Sequence, residues 1–216
     1  MQSIDLEPME YLPLIGTVAL LNLLGAMSPG PDFVMTVRNT LCYSRRSGIF
    51  TGLGISTALM IHLFYCAAGI GLLISKSIFL FNLIKILGAG YLIYMGVASI
   101  LAKGSKLDLL AEKSGTDLTR LQAFKMGFFT NVLNPKVTLF FLSLFTFVIA
   151  SSTPVYIVLI ISVIVIATAF CWFSIVSIFL SQPKIQQAFL KYEKSINYTL
   201  GGFLIFLGIK IALTFR

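Results

Sequence analysis

Long apolar runs separated by short polar breaks make up most of this chain. A helical run of about 20 apolar residues is long enough to cross the roughly 30 Å hydrocarbon core of a bilayer. The pattern therefore predicts an all-α integral membrane protein with six transmembrane helices. Their approximate bounds are 11–37, 48–75, 77–101, 126–150, 154–180 and 196–215.

Composition agrees with this class of protein. The 216 residues are 57% hydrophobic and 11% charged, whereas a soluble domain carries roughly 25% charged residues. The first ten residues contain Asp5, Glu7 and Glu10 and no basic residue. A cleaved signal peptide begins with a positively charged region, so the first apolar run is predicted to be a retained span.

The basic residues predict an orientation in the membrane. Eleven of the 16 lie in the first, third and fifth breaks, and only Lys76 and Arg216 lie in the other breaks or at the termini. Because cytoplasmic loops carry the excess of Lys and Arg, the odd-numbered breaks are predicted in the cytoplasm and both termini outside. Arg38, Arg45 and Arg46 of the first break are either topology anchors or contacts of a cytoplasmic gate. Since the charge lies between apolar runs, the net +8 does not indicate nucleic-acid binding.

An internal repeat divides the chain into two halves. Residues 90–97 read GYLIYMGV and residues 202–209 read GFLIFLGI, 112 positions later. Pro31 and Pro135 stand at a similar offset of 104. Two similar halves of three spans each must lie upside down relative to each other, an arrangement typical of secondary transporters. Alternatively, the two helices are alike only because both are rich in glycine and aromatic residues.

This interpretation assigns residues 1–101 to the first three-helix repeat, 102–121 to a cytoplasmic linker and 122–216 to the second repeat. The mixed charge and the Gly and Ser content of 102–121 suit a loop.

Helices 1 and 4 are predicted to be broken at proline. The first contains Pro29, Gly30 and Pro31, and the fourth contains Asn134 followed by Pro135. Each proline removes a backbone donor and clashes with the preceding turn. Irregular backbone at membrane depth is tolerated only where it faces protein or a water-filled cavity. Both breaks are therefore predicted to line such a cavity.

Two charged residues follow these prolines directly. Asp32 is the only acidic residue within a predicted span; it either serves a function or only caps a kinked helix, whose dipole favours an anion. Lys136 follows Pro135 in the same way, but a helix start disfavours a cation. Either Asp32 and Lys136 form an ion pair, or each binds one end of a zwitterion. The polar groups nearby in the same two spans are those of Asn22, Ser28, Asn131 and Asn134.

Other polar residues in the spans are secondary candidates. His62, the only histidine, either titrates near neutral pH or is a hydrogen-bonded packing residue. Lys85 lies within the third predicted span, and both readings, functional and structural, remain open. The three cysteines form no CxxC pair, so neither thiol redox chemistry nor a cysteine metal site is predicted.

Two segments resemble a known family. Residues 25–62, GAMSPGPDFVMTVRNTLCYSRRSGIFTGLGISTALMIH, and residues 127–145, GFFTNVLNPKVTLFFLSLF, are similar to the two signatures of the LysE/RhtB family of bacterial amino-acid exporters. The chain departs from the usual pattern at Ser44, where glycine is common, and at 146–147, Thr-Phe, where Pro-Gln or a similar pair is common.

The resemblance implies efflux of small amino acids such as homoserine, threonine or lysine across the bacterial inner membrane, driven by proton exchange. It implies no enzymatic activity and no cofactor, and its partners are the amino acid and the lipid bilayer; whether the chain forms a homo-oligomer stays open. By matching position, it points to a core of Pro29, Gly30, Pro31, Asp32, Asn131, Asn134, Pro135 and Lys136.

Two rival functions have weaker support. One is an exporter of metal ions or another small solute on a related scaffold. Divalent cations need several carboxylates, or histidine with cysteine or carboxylate, and the spans offer one acid and one histidine. A membrane protease would need a dyad such as Ser28 with His62, but Ser28 lacks the glycine-flanked turn of a nucleophile.

Overall fold

The computed structural model describes residues 11–28, 30–76, 78–101, 116–148 and 153–213, and every regular element within these ranges is an α-helix. The helices in chain order are α1 Leu12–Met27, α2 Pro31–Cys42, α3 Arg45–Lys76, α4 Ile78–Leu101, α5 Arg120–Val132, α6 Pro135–Val148, α7 Val155–Leu180 and α8 Pro183–Leu213.

Both predicted breaks are present. The axes of α1 and α2 differ by 60°, and those of α5 and α6 by 57°. Pro31 and Pro135 are the first residues of the helices that follow the breaks, the position where a missing N–H costs nothing. Before Pro31, Ser28 and Gly30 have extended backbone, so the chain changes direction there without a loop.

Several helices have the length and apolarity of a membrane span. Within the described ranges these are Arg45–Ala67 of α3 and the whole of α7, and each bent pair qualifies when it is taken as one span. Side chains on one face of α7, such as Val155, Leu159 and Val163, are exposed, as expected of a surface in contact with lipid. The prediction of six spans exceeds this count of four, and its third and sixth spans correspond to α4 and α8.

Three predicted boundaries differ from those observed. Helix α8 begins at Pro183 rather than near 196, because proline suits a first helical position and the polar residues after it are mostly good helix formers. Helix α5 begins at Arg120, inside the predicted linker, since Thr119 and Gln122 form a capping box. Helix α2 continues to Cys42. Residues 102–115 of the linker lie outside the described residues.

One end of the bundle is closely packed. We call it the basic end: there α2 and α7 end, and α3 and α5 begin at Arg45 and Arg120. A methyl group on Gly127 would clash with the Thr51 carbonyl, and one on Gly54 with the Phe124 carbonyl, so α3 and α5 touch backbone to backbone. On the other side of α3, a methyl group on Gly52 would lie 2.7 Å from Cβ of Phe173.

Helices α4 and α8 pack antiparallel through a contact that occurs twice. A methyl group on Gly96 would meet the Gly201 carbonyl at 2.5 Å and Cγ1 of Ile205 at 2.6 Å. One on Gly208 would meet the Ala89 carbonyl and Cγ1 of Ile93, both at 2.7 Å. Gly208 of the second contact lies 112 positions after Gly96 of the first, and Ala89 and Ile93 lie 112 positions before Gly201 and Ile205. The role that α4 plays in one contact is therefore played by α8 in the other. The spacing of 112 positions is the offset of the internal sequence repeat.

Neighbouring glycines on α8 allow a matched test of this packing. We expect Gly201→Ala to destabilise the protein by about 1–3 kcal/mol, because its methyl group would lie 2.5 Å from the Gly96 carbonyl and force the backbones apart. Gly202→Ala should be neutral or slightly stabilising, since nothing lies within 4 Å of the added methyl group and alanine favours a helix. Thermal unfolding of both variants in detergent measures the difference. Equal melting temperatures would contradict the close contact.

Candidate functional site

The two breaks meet around a buried cavity. It encloses about 480 Å³ of empty space, its opening included, and is lined by residues of α1, α2, α3, α5, α6, α7 and both breaks. Its polar lining consists of Asn22, Ser28, Asp32, Asn131, Asn134 and Lys136, and its apolar lining includes Phe33, Ile55, Leu59, Val137, Phe140, Phe141, Ala169 and Phe173. Irregular backbone thus faces a cavity, as its unpaired polar groups require.

Asp32 lies at the centre of this arrangement. It is the second residue of α2, and its side chain is 8% exposed. Its Oδ2 atom accepts hydrogen bonds from the Nδ2 atoms of Asn131 at 2.9 Å and Asn134 at 3.1 Å. Its Oδ1 atom is buried and accepts no hydrogen bond from the described residues. Half of the carboxylate is therefore fixed, and the other half is available to a cation.

Lys136 brings the opposite charge to the same cavity. It is the second residue of α6, and its Nζ atom donates a hydrogen bond of 2.7 Å to the Ser28 carbonyl in the other break. It also interacts electrostatically with Asp32. A methyl group on Gly30 would lie 3.0 Å from Nζ, so the lysine side chain lies against the first break. The ammonium group is thus held near Asp32 by contacts with the opposite half of the chain.

The two helix starts differ in how their backbone donors are satisfied. At α6 the Asn134 side chain accepts a hydrogen bond from the backbone N–H of Lys136 at 3.0 Å, an ordinary N-cap. At α2 the capping position is Gly30, which offers no side chain. The positive end of the α2 dipole is therefore not masked by a capping side chain, and the negatively charged side chain nearest to it is that of Asp32.

His62 supports the second break from α3. Its Nε2 atom lies 3.2 Å from the Asn131 carbonyl, and its Nδ1 atom lies 2.6 Å from the Tyr65 hydroxyl. Because a carbonyl oxygen only accepts, Nε2 carries the proton, and in the neutral ring Nδ1 accepts from Tyr65. The Asn131 carbonyl also accepts from the backbone N–H of Asn134 at 2.9 Å. His62 therefore helps to fix the turn that carries both amides bound to Asp32.

The remaining predicted site residues lie apart from these contacts. Pro31 starts α2 and is exposed, and Pro135 starts α6. Pro29 and the side chain of Lys85 lie outside the described residues. Arg45 and Arg46 are exposed at the start of α3, and Arg38 is half-buried on α2. None of these three arginines lines the cavity.

The basic end is tied together by a second acidic residue, Asp117. Its carboxylate accepts hydrogen bonds of 2.7 Å from the Ser44 hydroxyl and 2.6 Å from the Ser47 hydroxyl. These bonds, led by that of Ser47, hold the pKa of the Asp117 carboxyl below its ordinary value. The contact therefore stabilises the fold above the pKa of the unfolded chain, and this contribution is lost as the pH falls through the lowered value, below about 4. Ser44, where the resemblance noted above leads one to expect glycine, is one of the two hydroxyl donors to Asp117.

Among the described residues, no group of three His, Cys, Asp or Glu side chains is close enough together to hold a metal ion. Asn22 and Phe140 also line the cavity. The sequence placed Asn22 among the polar groups near the first break but gave no role to Phe140. The polarity of Asn22 within an apolar run was the one available signal for it. Phe140 gives no such signal, because phenylalanine is common throughout the spans.

Comparison with known proteins places the chain among transport proteins. The profile described as LysE type translocator matches residues 23–214. The threonine efflux protein of Escherichia coli K12 is 26% identical over 204 residues, covering 94% of this chain and 99% of that protein. The membrane protein YrhP of Bacillus subtilis is 28% identical over 213 residues, covering 95% and 98%. The homoserine/homoserine lactone efflux protein of Salmonella typhimurium is 32% identical over 121 residues, covering 56% and 57%. No solved structure matches the chain.

The contacts of His62 predict a graded mutational effect. We expect His62→Phe to lower stability by about 1–3 kcal/mol, because the ring still packs on Phe141 but the half-buried Tyr65 hydroxyl loses its contact with Nδ1 and the Asn131 carbonyl loses its donor from α3. His62→Gln keeps an N–H donor and should recover part of the loss. Thermal unfolding in detergent measures both. A glutamine variant no more stable than the phenylalanine variant would show that the hydrogen bond to Asn131 contributes nothing.

Proposed function

The chain belongs to the LysE type translocator family, and from this premise we propose that it exports small amino acids across the bacterial inner membrane by secondary transport. The named relatives include efflux proteins for threonine and for homoserine. The chain covers nearly the full length of the threonine exporter. Efflux of a small amino acid is the activity that the family and the cavity jointly support.

The observation that carries this proposal is the pair of opposite charges in the cavity. Asp32 presents an unpartnered Oδ1 atom, and Lys136 presents an ammonium group held against the Ser28 carbonyl. An amino acid carries an ammonium and a carboxylate group on one carbon atom, so it matches both charges at once. We assign the substrate ammonium to Asp32 and the substrate carboxylate to Lys136. Each charge would otherwise be costly at membrane depth.

We propose that the two halves are inverted repeats that move relative to each other. Two observations support this: the equivalent breaks at Pro31 and Pro135, and the antiparallel contact of α4 with α8 that occurs twice at an offset of 112 residues. The predicted three spans in each half would place the halves upside down relative to each other. The cavity is lined by residues of both halves, as alternating access around a fixed site requires. In the orientation predicted from the distribution of Lys and Arg, the basic end faces the cytoplasm and both termini face outside.

Proton exchange is the proposed driving force, and Asp32 is the proposed coupling group. A single carboxylate that binds either the substrate ammonium or a proton makes the two mutually exclusive. Substrate export is then linked to proton import through one residue. The unpartnered Oδ1 atom of Asp32 is the position where both would bind.

Substitution at the two charges tests the function. We expect Asp32→Asn to abolish export of radiolabelled threonine and homoserine from proteoliposomes, because the amide cannot pair with the substrate ammonium or carry the proton. Lys136→Met should reduce export at least tenfold, as for loss of a buried charge partner. Lys125→Met is the matched control, since Lys125 is exposed on α5 and does not line the cavity.

A pH gradient separates binding from coupling. Wild-type efflux should accelerate when the compartment that receives the substrate is the more acidic, and collapsing the gradient should remove this acceleration. Unchanged export by Asp32→Asn, in protein that purifies as a folded species, would exclude Asp32 from the mechanism. If the wild-type protein exports none of the tested amino acids, the proposed function is wrong.

A further inference from the structure

Asn22 is a buried polar residue of α1 that the proposed binding of the amino-acid head group does not use. Its side chain is 4% exposed and lines the cavity. Gly25 and Ala26, one turn later on the same face of α1, line it as well. Asn22 precedes Ser28 by six residues, about 9 Å along a helix. The cavity thus has a second polar point, away from the break that holds the charges.

The orientation of the Asn22 amide follows from its neighbours. Its Nδ2 atom lies 3.1 Å from the Val165 carbonyl and 2.8 Å from Oγ1 of Thr168. The Val165 carbonyl can only accept, and the Thr168 hydroxyl directs its own proton to the carbonyls of α7. Both neighbours therefore require the N–H₂ group on their side. The Oδ1 atom takes no part in these contacts with α7, and no hydrogen bond to it is found among the described residues.

The cavity lining that follows Asn22 on α1 is apolar. Phe140 lies against Gly25, where an added methyl group would be 2.9 Å from the ring, and Ala169 of α7 also lines the cavity. Asp32 is the one carboxylate among the described lining residues, and the substrate ammonium occupies it. A second ammonium, on a substrate side chain, would find no counter-ion here. A neutral side chain that can donate one hydrogen bond fits this region.

We propose that Asn22 selects the substrate side chain, with its fixed Oδ1 atom accepting a hydrogen bond from a side-chain hydroxyl. This inference rests on the proposed function. It makes the preferred substrate an uncharged hydroxy amino acid rather than a cationic one, and it assigns the discrimination to a residue outside both breaks. The donors of Asn22 to α7 orient the acceptor, and Thr168 is therefore a positioning residue.

Isosteric substrates test the assignment directly. Threonine and valine differ by a hydroxyl in place of a methyl group, as do homoserine and norvaline. In proteoliposome competition assays the wild type should prefer the hydroxyl member of each pair roughly 2- to 10-fold, the effect of one neutral hydrogen bond. Asn22→Leu, which keeps the size of the side chain, should bring this ratio to about one or invert it. Lysine should compete weakly with both proteins.

A second variant and a control keep the test decisive. Thr168→Val removes one orienting acceptor and should lower the ratio less than Asn22→Leu does. Asn197→Leu, at a buried asparagine of α8 that does not line the cavity, should leave the ratio unchanged. A wild-type preference that persists in Asn22→Leu, or that Asn197→Leu removes equally, overturns the role of Asn22. Transport of no amino acid by the wild type would instead overturn the proposed function itself.

Discussion

The hydrogen bonds from Asn131 and Asn134 to the Asp32 carboxylate join the two breaks inside the bundle. A charged group at membrane depth is stable only with partners, and these two come from the other half of the chain. They can reach Asp32 only because proline interrupts both bent helices. The cavity, the unpartnered Oδ1 atom of Asp32 and the nearby lysine all follow from that one meeting of the two breaks.

The two breaks are alike in backbone and opposite in charge. Asp32 and Lys136 are both second residues of helices that start with proline. The helix dipole stabilises the aspartate and opposes the lysine. The structure resolves this conflict by capping α6 with Asn134 and by giving the lysine a carbonyl acceptor in the opposite break. Each half therefore compensates the electrostatic cost of the other.

Much of this could be predicted from sequence because membranes impose strong local rules. Pro31 and Pro135 predicted where the helices break, and Asp32 was a candidate because it is the only acidic residue within a predicted span. Contacts between distant residues could not be predicted: nothing local says that Ser28 accepts from Lys136 or that His62 faces the Asn131 carbonyl. Asp32 and Lys136 line one cavity; whether they form an ion pair or each bind one end of a zwitterion remains the subject of the proposed function. The start of α8 was missed because helix-forming polar residues resemble a loop in hydropathy.

The proposed function and the proposed role of Asn22 give binding and selection separate positions in this cavity. The charges at the breaks would recognise what all amino acids share, so they would not distinguish one amino acid from another. Discrimination needs a protein group that contacts the substrate side chain. A neutral acceptor suits that task, because it disfavours a substrate with a methyl group in place of the hydroxyl without adding a charge that must itself be neutralised. A carboxylate at Asn22 would face the Val165 carbonyl with no proton between them. The asparagine is therefore the residue type that can both bind α7 and present an acceptor to the cavity.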